Sequence, residues 1–180
     1  MAVTPPTRRR FLLQAGACAA AAALPLAARA RADAPRALQF LHLHTGERLS
    51  VEYFDAGRYL PDALEAVNRL LRDFRTDDVH PIDPELLDVL HRVATLTGTQ
   101  RPFEIISGYR SPRTNAALRE RSDGVATRSL HMDGRAIDVR LGDVALPQLR
   151  AAALALRAGG VGYYPASNFV HLDTGRVRFW

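Results

Sequence analysis

The sequence predicts an α+β fold: one compact domain with a mainly antiparallel sheet and flanking helices. Strand-like and helix-like segments do not alternate strictly, which disfavours a parallel sheet built from strand–helix–strand units. A hairpin pattern comes first and three short strand patterns come last. The chain has 180 residues, and once an export-type leader is set aside they leave room for a single core of ordinary domain size.

Residues 38–54 read Leu-Gln-Phe-Leu-His-Leu-His, then Thr45-Gly46, then Arg-Leu-Ser-Val-Glu-Tyr-Phe: two strands around a turn. In 62–74, Ala63, Leu64, Val67, Leu70, Leu71 and Phe74 recur at helical spacing behind Pro61. A second helix is predicted over 84–97, capped by Asp83, with Leu86, Leu87, Leu90, Val93 and Ala94 inward. Residues 103–107 form a short apolar strand. Ser111 with Pro112 caps a helix to about residue 121, and a polar loop covers 122–130. Residues 136–141 read as a strand and 146–158 as a helix closed by Gly159-Gly160. Short strands are then expected around Val161, Val170 and Val177.

The basic balance, +5 overall, does not describe the domain. Arg8, Arg9, Arg10, Arg29 and Arg31 against Asp33 give +4 in the first 34 residues, which leaves about +1 for the rest. A nearly neutral domain is a poor counterion-release binder of phosphate backbones, so no nucleic-acid partner is expected. Arg8-Arg9-Arg10-Phe11-Leu12-Leu13, an alanine-rich apolar segment and sites such as Ala28-Arg29-Ala30 have the three parts of a secretory signal. The paired arginines resemble the twin-arginine type. Residues 1–34 are therefore expected to be a cleaved signal peptide and 35–180 the domain, delivered to the periplasm. Contact with a membrane is expected only if the leader stays attached. Cys18 is the sole cysteine and falls in that leader, without the leucine that a lipoprotein site carries three residues before. The domain thus has no thiol to offer a metal.

Ligand-type side chains concentrate in two segments, Ser129-Leu130-His131-Met132-Asp133-Gly134-Arg135-Ala136-Ile137-Asp138 and Asn168-Phe169-Val170-His171-Leu172-Asp173. On a strand Ala136, Asp138 and Arg140 share one face, with Ile137, Val139 and Leu141 on the other; His171 and Asp173 share a face by the same rule. An Asp-Gly turn at 133–134 can bring His131 back over Asp138. A catalytic zinc site takes about three protein ligands plus an open position, and two histidines with one aspartate supply that set in a thiol-free protein. Read on spacing alone, unrelated surface or capping residues explain the same pattern. The aromatics Tyr163, Tyr164, Phe169, Phe179 and Trp180 fit a ligand groove or, at strand spacing, core. Asp77, Asp78 and His80 read as a solvated loop before the Asp83 cap.

Residues 129–138 match the S-x-H-x-x-G-x-A-x-D pattern of the D-Ala-D-Ala metallopeptidase group, and Ser107-Gly108-Tyr109-Arg110-Ser111 resembles the arginine-bearing strand end that precedes it there. The stretch from Val161-Gly162-Tyr163-Tyr164 through Ser167–Arg178 to Trp180 resembles the narrower YcbK-like family, the murein endopeptidase K type. The resemblance implies a hedgehog/D-Ala-D-Ala-peptidase-like metallopeptidase domain, one zinc ion held by His131, Asp138 and His171, and peptide crosslinks of peptidoglycan as substrate; separately, a monomer is expected. Arg110 corresponds to the arginine that steadies substrate or the developing oxyanion. Where many relatives place a glutamate base, this chain has Asn168. Asp173 is the expected base, with orientation of a ligand histidine as the alternative. Ser129 and Tyr109 are a candidate support and wall. A non-catalytic zinc-bearing wall-binding domain and a carboxypeptidase remain as alternative functions.

Overall fold

A computed structural model of the chain describes residues 34–121 and 126–180. The expected leader, residues 1–34, lies outside these except for its last residue. The hairpin forms as expected from β1 (Arg36–His42) and β2 (Arg48–Asp55), and β3 (Arg58–Tyr59), too short to leave a sequence pattern, extends it. Then come α1 (Pro61–Leu70), α2 (Pro84–Thr97), β4 (Phe103–Ser107) and α3 (Pro112–Arg119). After these follow β5 (Ala136–Leu141), α4 (Leu146–Leu156), β6 (Gly160–Tyr164), β7 (Phe169–Asp173) and β8 (Arg178–Phe179).

All eight strands join one sheet in the order β3-β2-β1-β4-β5-β7-β6-β8. The pairings are antiparallel except β1 with β4 and β6 with β8, so the mainly antiparallel α+β expectation holds. Alternation along the central strands divides the sheet. Phe103, Ile105, Ile137, Val139, Val170 and Leu172 are buried in the core with Leu86, Leu87, Leu90 and Val93 of α2 and Leu149 and Ala153 of α4. Glu104, Asp138, Arg140, His171 and Asp173 take the alternate positions, and Arg140 Nε donates to Glu104 Oε2 at 2.6 Å. Asp88 of α2 accepts from Tyr53 and Tyr59 hydroxyls at 2.8 Å each and from Arg36 at 2.7 Å, which ties that helix to the hairpin. No described helix is long and apolar enough to cross a membrane.

Two helix ends differ from expectation. α1 stops at Leu70 because Asp73 leaves the helical path. Its backbone N–H donates to Asp78 O at 3.0 Å, and its carboxylate accepts from Arg75 N, Ser111 N and Ser111 Oγ; such side-chain bonds to nearby backbone compete with helix. α4 ends at Leu156 with Arg157 in the left-handed region (φ 48°) as its cap. Gly159-Gly160 does not close it; Gly160 already opens β6.

Candidate metal centre

Asp138 and His171 face one another because β5 and β7 pair in a register that sets those two residues side by side. His131 comes from a short 3-10 turn, Leu130–Asp133, that Gly134 terminates at φ 66°. A side chain at Gly134 would be strained in that left-handed conformation and would collide with the Pro81 carbonyl oxygen, so the turn needs glycine there. The Asp-Gly signal thus produces a 3-10 turn with a glycine cap, and it returns His131 over Asp138 as expected.

The two rings present opposite nitrogens. His131 Nδ1 lies 2.7 Å from the Gly108 carbonyl oxygen, an acceptor only, so Nδ1 donates to it and Nε2 is the nitrogen turned to the cluster. His171 Nε2 lies 3.0 Å from Asp173 Oδ2, which leaves Nδ1 turned to the cluster. His131 Nε2, His171 Nδ1 and Asp138 Oδ1 then form a triangle with sides of 3.2, 2.9 and 3.3 Å. Zinc–ligand bonds of about 2.0–2.1 Å arranged tetrahedrally put neighbouring ligand atoms roughly 3.3 Å apart. The donor set, its chemistry and its spacing fit one divalent cation, and these three residues form the group among the described residues that could hold a metal ion.

Electron pairs facing one another at such distances need a positive charge between them. Burial opposes charging of His171, but hydrogen bonds and charge from Asp138 and Asp173 outweigh it and raise its pKa to about 9. Burial also opposes ionisation of Asp138, yet His131 and His171 hold its carboxyl well below the usual range. Arg110 Nη2 lies 3.6 Å from Asp138 Oδ2, and Nη1 donates to Asn115 Oδ1 at 3.5 Å. Burial pulls its pKa down against the pull of Asp138.

Asp173 is next to the centre but does not face it. Oδ1 accepts from Gly160 N, Gly175 N and Arg178 Nη1 at 3.0, 2.8 and 3.0 Å. Oδ2 accepts from Arg178 Nη2 at 2.7 Å and from the far nitrogen of His171. Both oxygens are committed, and these donors hold the carboxyl well below its usual range although burial opposes ionisation. Asp173 thus meets His171 on the nitrogen away from the cluster, and its oxygens face the Gly160 and Gly175 amides and Arg178. Asn168 is exposed and sits at φ 54° as the cap of a 3-10 turn, Pro165–Ser167, where asparagine's tolerance of left-handed backbone accounts for it.

Ser129 precedes the His131 turn and makes no side-chain cap bond, while Tyr109 lies against His80 with ring centroids 4.7 Å apart. The loop that carries Asp77 and Asp78 is less free than expected, since Arg72 pairs with Asp77 and Asp73 with Asp78 through backbone. The aromatics separate. Tyr163 packs on the core, whereas Phe179 and Trp180 are 71% and 47% exposed, contrary to a core reading. Trp180 lies 5.3 Å from the His171 ring and donates from Nε1 to Tyr164 Oη at 2.7 Å, and Tyr164 stacks on Phe169. Three contributors escaped the sequence reading: the Gly108 carbonyl, Asp73 and Arg178. Backbone acceptors and long-range partners carry no local signal, though the Arg-Val-Arg run before Phe179-Trp180 was visible.

A family model described as peptidoglycan L,D-endopeptidase MepK matches residues 30–180. Peptidoglycan L,D-endopeptidase MepK of Escherichia coli (strain K12) is 47% identical over 175 residues, 96% of this chain and 96% of that protein. The same figures hold for MepK of Shigella flexneri. A probable peptidoglycan L,D-endopeptidase MepK of Haemophilus influenzae is 47% identical over 147 residues, 81% of this chain and 79% of that one.

Proposed function

The chain belongs to the peptidoglycan L,D-endopeptidase MepK family, and on that premise we propose that it is a zinc-dependent murein endopeptidase hydrolysing peptide crosslinks of peptidoglycan in the periplasm. Residues 1–34 serve as a cleaved twin-arginine signal, and 35–180 fold as a monomeric, hedgehog/D-Ala-D-Ala-peptidase-like peptidase domain. The observation that carries the reading is the buried triangle of His131 Nε2, His171 Nδ1 and Asp138 Oδ1, each histidine with its other nitrogen already tied down. When bound there, zinc supplies a Lewis acid that lowers the pKa of a water and polarises a peptide carbonyl.

The chain's own residues do the rest. Gly108 and Asp173 hold the two imidazoles in the tautomers that expose the ligand nitrogens, so no proton has to be redistributed when substrate arrives. Arg110, mostly buried beside Asp138, supplies a permanent positive charge for the oxygen that becomes negative as the peptide carbonyl is attacked. Trp180 and Tyr164 form an aromatic wall beside His171 that shields one side of the centre from water and offers a flat surface to the substrate's aliphatic parts. The bond cut is in a crosslink containing meso-diaminopimelate, in keeping with the L,D-endopeptidase name of the relatives.

Mass-spectrometric analysis of purified crosslinked muropeptides after incubation with zinc-loaded protein tests the proposal. Loss of the L,D-crosslinked species is expected, blocked by chelation and by His131→Ala. Intact crosslinks with stoichiometric zinc bound would rule out the peptidase and leave a wall-binding domain; trimming of free carboxyl ends alone would indicate a carboxypeptidase.

A further inference from the structure

We propose that Arg178 is a positioning residue of the metal centre: through Asp173 it fixes the proton of His171 on Nε2 and so keeps Nδ1 bare for the cation. The inference rests on the zinc reading above and deepens it.

Arg178 lies on β8, which adds to the sheet beside β6, so it reaches His171 from the sheet edge and touches no ligand atom. Its guanidinium meets Asp173 through two parallel bonds, Nη1 to Oδ1 at 3.0 Å and Nη2 to Oδ2 at 2.7 Å. A two-pronged contact of this kind fixes the carboxylate plane as well as its position. With Oδ1 also held by Gly160 N and Gly175 N, Oδ2 can only point at His171 Nε2. Asp173 is fully buried, and an ionised carboxylate there requires an opposite charge at hand; Arg178 supplies a permanent one. The centre then contains two matched pairs, Asp138 with Arg110 and Asp173 with Arg178.

Two further features show that the fold reserves this place. A Cβ at Gly160 would run into Asp173 Oδ2 and lie 2.6 Å from Arg178 Nη1, so the absence of a side chain there makes room for the pair. Arg178 Cζ also sits 5.0 Å over the Trp180 ring, which itself lies against His171. One guanidinium thus braces the histidine's carboxylate partner and the aromatic wall beside it.

The test uses the full chain with Arg178→Ala, Arg178→Lys and Gly160→Ala. Heteronuclear NMR of the imidazole nitrogens, recorded at alkaline pH where the ring is neutral, reports which His171 nitrogen is protonated in the metal-free protein, and competition with a chromophoric chelator reports zinc affinity. In the wild type the tautomer with a bare Nδ1 dominates once the ring is neutral. Arg178→Ala is expected to mix the tautomers and weaken zinc binding by about 10-fold or more. Arg178→Lys falls between, because an ammonium cannot match both carboxylate oxygens at once. Gly160→Ala displaces the pair without removing a charge and should act in the same direction as Arg178→Ala. Folded Arg178→Ala with the wild-type tautomer and affinity overturns the inference. If that variant does not fold, wild-type tautomers in both Arg178→Lys and Gly160→Ala overturn it equally. A wild-type protein that binds no zinc refutes the metal reading instead, and the tautomer measurement still decides the role of Arg178.

Discussion

Replacing Asp173 with asparagine separates the two roles a carboxylate at that position can have. In the native protein its oxygens receive five hydrogen bonds, three on Oδ1 and two on Oδ2. The amide oxygen can keep the Gly160, Gly175 and Arg178 Nη1 donors, but the amide NH2 then stands where Arg178 Nη2 at 2.7 Å and His171 Nε2 at 3.0 Å both donate. Flipping the amide is worse, since NH2 would face three donors. The conflict is relieved if His171 gives up its Nε2 proton, accepts from the amide and carries its proton on Nδ1, the nitrogen required by the metal. Loss of such an outer partner costs about 10–100-fold in metal affinity, about 1.4–2.7 kcal/mol. Leaving Arg178, whose side chain is 30% exposed, without its charged partner costs less than the roughly 3–5 kcal/mol of a fully buried pair, within a total of about 5–15 kcal/mol, so a folded variant is expected. Chelator competition on purified Asp173→Asn, with urea unfolding alongside, measures both. If Asp173 acts instead as the proton acceptor, the variant binds zinc as tightly as the wild type and loses only turnover. That result would refute the orienting argument.

Two other perturbations reach the same scaffold. His42 is fully buried, with Nδ1 accepting from His44 N and Thr45 N at 3.3 and 3.4 Å, and burial followed by the charge of His44 pushes its pKa from 6.5 down to about 4. Below pH 6.5 the unfolded chain takes up a proton that the native chain refuses until about pH 4. Stability attributable to His42 is therefore complete above 6.5, falls through that interval and levels off below it, by about 3 kcal/mol at most. Urea titrations across this range should show a shallower acid loss in His42→Leu, and an unchanged slope would sink the assignment. Gly134→Ala places a Cβ on a left-handed residue and against the Pro81 carbonyl. Strain and overpacking together predict about 2–5 kcal/mol of destabilisation, read as a melting temperature lowered by roughly 4–20 °C. A wild-type melting temperature would show that the turn holding His131 tolerates a side chain.

Much of the fold was legible because its signals are local. Asp83 and Ser111 cap α2 and α3 by accepting from Glu85 N and Thr114 N, the behaviour their residue types predict at those positions. A short apolar run marked β4 and alternation of faces marked β5, and both run over the expected residues. The end of α1 was not legible. Asp73 departs from the helix to bind Ser111, a partner 38 positions away, and periodicity contains nothing of that bond. The closure of α4 misled for a related reason: Gly159-Gly160 has the composition of a helix stop, but the clearance at Gly160 serves the Asp173–Arg178 pair across the sheet.

The proposed ligands His131, Asp138 and His171 were named by sequence pattern and family resemblance, since a metal needs particular donor atoms and those are fixed by residue type. Which nitrogen each histidine turns inward was decided only by tertiary structure. The answer depends on a carbonyl at Gly108 and a carboxylate at Asp173, and the latter depends in turn on Arg178 at the sheet edge. Residue identity supplies the chemistry available. The direction in which a lone pair points is a property of hydrogen-bond partners that only the folded sheet brings within reach.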